Sequence, residues 1–207
     1  MECEIPRGAD REYLIVFGVA AIYVGTIPRG EPCIVGASRD LDKTYEAMRE
    51  RWPWSKIACA FWVKDRDTAE AIANEVNGVL PHDLDGRLAV RAETARRQIE
   101  QIADSWKLNL TNHDAAMARV RSAVRRVEQM ISEANGRGEL AWFNTAYRDW
   151  RIEAKKVGRV MSYAEALARL RREVTKRLIT LDILDVGADL LPAIFPDLRK
   201  PPRQNLR

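Results

Sequence analysis

The chain has 207 residues, 46% hydrophobic and 31% charged, with a formal net charge of +4. That length is enough for one large domain or two small ones, each with its own core. No apolar run approaches the ~18 residues of a membrane-spanning helix, and the opening MECEIPRGAD lacks a secretory pattern, so a cytoplasmic protein with no membrane association is expected.

YLIVFGV and AAIYVGTI read as β-rich runs joined at Gly18, and EPCIVGA as a third short strand. DLDKTYEAMRERW changes period: Leu41, Tyr45, Met48 and Trp52 share one helical face, and Pro53 stops the helix. KIACAFWVKD is the strongest strand pattern. Asp67 and Thr68 then open a helix through AEAIANEVNGVL, with Ala69, Ile72, Val76 and Val79 on its apolar face and Gly78 and Pro81 at its end. LPHDLDGRLAV reads as a connector.

Everything from Ala92 onward reads as helical. Ala92, Ala95, Ile99, Ile102 and Trp106 step by three and four, and so do Met117, Val120, Val124, Val127 and Ile131. Thr111 and Asp114 frame the start of that second helix, and Gly136 or Gly138 ends it. A third helix covers about Leu140 to Val157 and stops at Gly158. A fourth opens on SYAE, where Ser162 and Glu165 form a capping-box pattern, and runs to about Leu184. The tail FPDLRKPPRQNLR is Pro-rich and basic, the composition of a disordered segment. The expected fold class is α+β: a small three-stranded, mainly antiparallel sheet with flanking helices, followed by an all-α part. The expected divisions are 1–88, 89–190 and the tail 191–207.

Cys3, Cys33 and Cys59 are odd in number and widely spaced, and His82 and His113 lie far from them in sequence. Buried free thiols are the expectation, and a zinc site is not.

The order hairpin, helix, strand, helix over residues 14–85 carries Ala21-Ile22-Tyr23, Ile34-Val35-Gly36, ASRDLDKT and EAIANE at suggestive spacings. It resembles a degenerate GIY-YIG nuclease domain. The resemblance implies that Tyr23 matches the first tyrosine, which serves the attacking water. It implies that Glu75 matches the carboxylate that holds Mg²⁺ or Mn²⁺ at the scissile phosphate. Ile34 replaces the second tyrosine and Thr44 replaces the arginine that stabilises phosphate charge. Lys43 is one step from Thr44, about 100° around the helix, and does not substitute. Losing such a stabiliser costs about 10²–10³ in rate. The resemblance therefore implies a nuclease fold without its nuclease, with Tyr23 and Glu75 as remnant catalytic positions. A metal cofactor, held at Glu75, enters only if cutting survives.

Charge is uneven along the chain. Residues 1–90 hold 11 Lys/Arg against 15 Asp/Glu, net −4, and residues 91–207 hold 23 against 15, net +8. Residues 148–177 alone reach +6. Arg148, Arg151, Lys155 and Lys156 lie on the third helix, Arg159 in the link, and Arg169, Arg172 and Lys176 in a stripe on the fourth. Tyr163, Leu167, Leu170, Val174 and Leu178 form that helix's core stripe, and Trp142, Phe143, Tyr147 and Trp150 read as core aromatics. Arg119, Arg121, Arg125 and Arg126 give the preceding helix a second basic face. Two helices, a short turn and an Arg-bearing second helix outline a helix-turn-helix-like reader. Such density points to a polyanion partner. The functional expectation is a nucleic-acid-binding protein, double-stranded DNA its partner. The alternatives are a metal-dependent endonuclease with an altered site and a helical interaction or regulatory protein whose helices pair with another chain; the stepping of residues 92–131 also offers a homo-oligomer contact.

Overall fold

The computed structural model describes residues 3–181, apart from the side chain of Trp142. The expected helix end at Leu184 and the tail 191–207 lie outside the described residues. The chain divides between Arg119 and Val120 into two compact units.

The first unit opens with a helix, α1 (Gly8–Phe17), where a strand was expected. Short apolar runs such as YLIVF do not distinguish helix from buried strand by periodicity. Gly18 is the left-handed cap of α1 rather than a join between strands: its φ is 78°, and the N–H groups of Gly18 and Val19 donate to the carbonyls of Ile15 and Leu14. The remaining elements match the expected order: β1 (Ala20–Thr26), β2 (Cys33–Ser38), α2 (Leu41–Arg51), β3 (Lys56–Val63) and α3 (Arg66–Val79). The sheet is antiparallel throughout in the order β2-β1-β3.

Strand alternation gives the sheet two different faces. Ala20, Ile22 and Val24 of β1, with Cys33 and Val35 of β2, face Ala69, Ile72, Ala73 and Val76 of α3. The same core takes in Ala95, Ile99, Ile102 and Ala103 of α4 (Ala92–Ser105). α4 thus spends its apolar stripe on the sheet and belongs to the first compact unit. Trp106 leaves that stripe: it caps α4 and is 43% exposed. The connector between α3 and α4 lays Leu88, 1% exposed, along the β2 edge, where Leu88 and Cys33 exchange backbone hydrogen bonds of 2.8 and 3.1 Å.

On the other face, α1 is tied to the start of α2. Asp40 caps α2 by accepting from the Lys43 N–H, and it also receives both Nε and Nη2 of Arg11 at 2.7 Å. The Arg11 guanidinium holds the Asp40 carboxyl below the usual carboxylate range. A depressed folded pKa contributes stability above the unfolded value of about 3.9, and that contribution disappears as pH falls through the folded value. Asp40→Ala is expected to cost about 1 kcal/mol through the lost cap. Asp40→Asn should retain the cap and flatten this acid-side component, as read by urea denaturation across pH 2–6.

The long helix α5 (His113–Gly136) starts in the first unit and continues into the second. Asn112 caps it, accepting from the Ala115 N–H at 2.8 Å. The second unit packs Val127, Met130, Ile131 and Ala134 of α5 against α6 (Ala141–Lys156) and α7 (Tyr163–Leu181). Phe143, Ala146, Ala166, Leu170, Val174 and Leu178 complete that core. Gly158, with φ 72°, ends α6, and the Arg159 N–H donates back to the Ala154 carbonyl. The capping box at α7 is formed as read: the Ser162 N–H donates to Glu165 Oε2 at 2.7 Å, and the Glu165 N–H donates to Ser162 Oγ at 3.2 Å. Leu170, Val174 and Leu178 of the expected α7 stripe are fully buried. Tyr163 is 46% exposed and Leu167 only half-buried, while Thr175 and Ile179 are buried.

Candidate nucleic-acid interface

The nuclease-like positions come apart in the fold. Tyr23 lies on the sheet face that meets α2, pairing with Gly36 in β2 and Ala60 in β3. Its ring lies across Gly36, where a Cβ would come within 2.6 Å of the hydroxyl oxygen. Burial raises the phenol pKa, the wrong direction for a base. Ile34 packs over Gly25 beside Met48. Thr44 does face this side, and its hydroxyl is 2.7 Å from that of Ser38.

Glu75 is an exposed residue of α3, the helix that packs on the opposite face through Ile72, Ala73 and Val76. The sheet therefore separates Tyr23 from Glu75. No shared pocket unites a tyrosine, a carboxylate and a cation at these positions among the described residues.

The cations of the second unit sort into two groups. Arg148, Arg151 and Lys155 recur at three and four along α6, and Arg159 sits in the following turn. All four are exposed, and none makes an ion pair among the described residues. Lys156 is held by Glu153 at 2.6 Å. On α7 the expected stripe is largely occupied. Arg169 stacks over the Trp150 ring at 4.4 Å, Arg172 pairs with Glu173 at 3.4 Å, and Lys176 is half-buried. Among the expected cations of the described residues, the longest exposed run without an ion pair lies on α6 and the turn.

A groove of about 700 Å³ runs along this hairpin, lined by Trp150, Val157, Arg159, Val160, Arg169 and Arg172 among others. Glu153, Glu165 and Glu173 also line it, so its own charge is close to balanced. Phe143 is fully buried, and Tyr147 and Trp150 are half-buried. The Trp150–Arg169 stack joins residues on different helices, and no short-range spacing announces it. Arg171 and Arg177 are exposed on α7 as well, and sequence reading passed over them because they fall outside the three-four stripe.

No family model, curated protein or solved structure matches this chain. The molecule is defined by its own architecture: an α+β protein with a helical part.

Proposed function

We propose that the protein binds double-stranded DNA without cutting it, and that α6 and the turn after it supply the phosphate contacts. One observation carries this reading: Arg148, Arg151, Lys155 and Arg159 form an exposed run of cations with no ion-pair partner among the described residues. Exposed guanidinium and ammonium groups at helical spacing meet successive phosphates and displace condensed counterions. The separation of Tyr23 and Glu75 by the sheet supports the non-catalytic form of the proposal over the altered-site endonuclease.

The test is a titration of labelled duplex DNA at low and moderate salt with Mg²⁺ or Mn²⁺ present, read for both shift and cleavage. The expected result is a salt-sensitive shift with intact DNA. Arg148→Gln, Arg151→Gln and Lys155→Gln together should reduce the slope of log K against log salt by about 2.7, close to 0.9 per contact. Changing Arg169, Arg172 and Lys176 together to alanine should have a smaller effect, since Arg169 is stacked on Trp150, Arg172 is paired with Glu173 and Lys176 is half-buried. Cleavage abolished by Glu75→Ala would overturn the non-catalytic reading. Absence of any shift would overturn DNA binding and leave a protein partner for the helices.

A further inference from the structure

We propose that Glu4, His113 and Asp114 bind a divalent transition-metal ion, with Asp10 as the positioning carboxylate behind the imidazole. Four residues from two distant stretches of the chain, 4–10 and 113–114, meet here, all within the first unit. Trp62 and Thr111 exchange backbone hydrogen bonds of 2.8 and 3.1 Å, which pins the start of α5 to β3. The His113 ring then lies against Trp62, with centroids 6.3 Å apart. The imidazole is only 11% exposed, and neither ring nitrogen has a hydrogen-bond partner among the described residues. Burying such a group unpaired costs free energy that a ligand recovers.

The surroundings point to a cation. Nδ1 is 3.9 Å from a Glu4 oxygen and 3.7 Å from an Asp114 oxygen, and Nε2 is 4.0 Å from an Asp10 oxygen. One ligand atom from each of Glu4, His113 and Asp114 falls within 4.8 Å of the others. Ligands of a tetrahedral ion at about 2.1 Å are about 3.4 Å apart. Nδ1 exceeds that spacing by about 0.3 and 0.5 Å and the carboxylate pair by at most about 1.4 Å, which the exposed Glu4 and Asp114 side chains can close. Asp10 stands on the side of the far nitrogen, where a small approach would let it accept the Nε2 proton and leave Nδ1 as donor, the usual support of a metal-bound histidine.

One nitrogen and two carboxylates suit zinc, cobalt or manganese. Cys3 and Cys59 line the adjoining cavity of about 390 Å³ with Glu4, His113 and Asp114. Burial pushes the Cys59 thiol up to about 12. The ion's remaining positions open toward that cavity. Its structural effect is to clamp the segment holding Glu4 and α1 onto the start of α5.

The experiment uses the full chain, stripped of metal with a chelator and titrated with Co²⁺. The chain's two histidines allow a direct readout, with exposed His82 as the internal reference. The expected result is saturation at one Co²⁺ per chain, with the His113 ring proton resonances shifted and those of His82 unmoved. Glu4→Gln with Asp114→Asn, both at exposed positions, should lower affinity at least 100-fold without unfolding the chain. Asp10→Asn should keep the stoichiometry and weaken binding about 10–100-fold, the usual cost of a lost supporting carboxylate. Absence of stoichiometric binding, equal perturbation of both histidines, or undiminished affinity in the Glu4/Asp114 double variant would each overturn the site.

Discussion

Phe143→Ala is expected to destabilise the helical unit by about 3–5 kcal/mol, the usual cost of removing a large buried ring. Phe143 is 0% exposed. Its ring meets Trp150 edge-on at 6.1 Å and Tyr163 at 5.6 Å, and Tyr163 in turn meets Tyr147 at 5.3 Å. The aromatic group therefore joins α6 to the first turn of α7. Alanine would leave a cavity at that joint, and the helices can collapse into it only in part. Urea denaturation followed by helical circular dichroism checks the loss, which should fall below 1.5 kcal/mol for a shape-tolerant Phe143→Leu replacement. The same variant bears on the cationic face. Trp150, which carries the Arg169 guanidinium, rests against Phe143, so loosening the joint should move Arg169 while leaving Arg148, Arg151 and Lys155 on the outer face of α6.

Gly36→Ala is the second large effect, expected at about 1–3 kcal/mol from overpacking. A Cβ at position 36 would meet the Tyr23 ring at three atoms, 2.6 to 2.9 Å away. The Tyr23 backbone is fixed between two strands, so relief of the clash has to come from displacing the far end of its half-buried ring. In a Tyr23→Ala background the same Gly36→Ala change should cost much less, a coupling of about 0.5–3 kcal/mol between touching residues. Equal cost in both backgrounds would sink the contact. The pair gives the I-Y and V-G fragments a packing reason to occur together: the glycine makes room for the tyrosine across the strand pair.

Much of the architecture was legible in the residues. Three strands, α2, α3, the four later helices and the Ser162–Glu165 capping box follow from apolar period and local cap chemistry, because those signals act over a few residues. The expectation of a strand at YLIVF failed since one short apolar run fits either state, and Gly18 decided it only through its left-handed backbone. The division of the chain into compact units is a different kind of question. A connector is visible in sequence, but which core receives the stripe of α4 is a tertiary question, and Ile99 and Ile102 went to the sheet.

The cationic density of residues 148–177 could be read directly, since charge is a property of composition. Which of those cations stay unpaired depended on neighbours brought in by folding: Glu153 beside Lys156, Trp150 beneath Arg169, Glu173 beside Arg172. The sheet parity that sets Tyr23 and Glu75 on opposite sides likewise required knowing which face α3 covers. The clearest case is His113. From the sequence it is one of two isolated histidines, with nothing to suggest a metal. Only the meeting of Glu4, Asp10 and α5 near the end of β3 surrounds its ring with carboxylates. Local elements are decided by contacts a few residues apart, which a sequence displays. A site assembled from positions a hundred residues apart exists only once the chain has closed on itself.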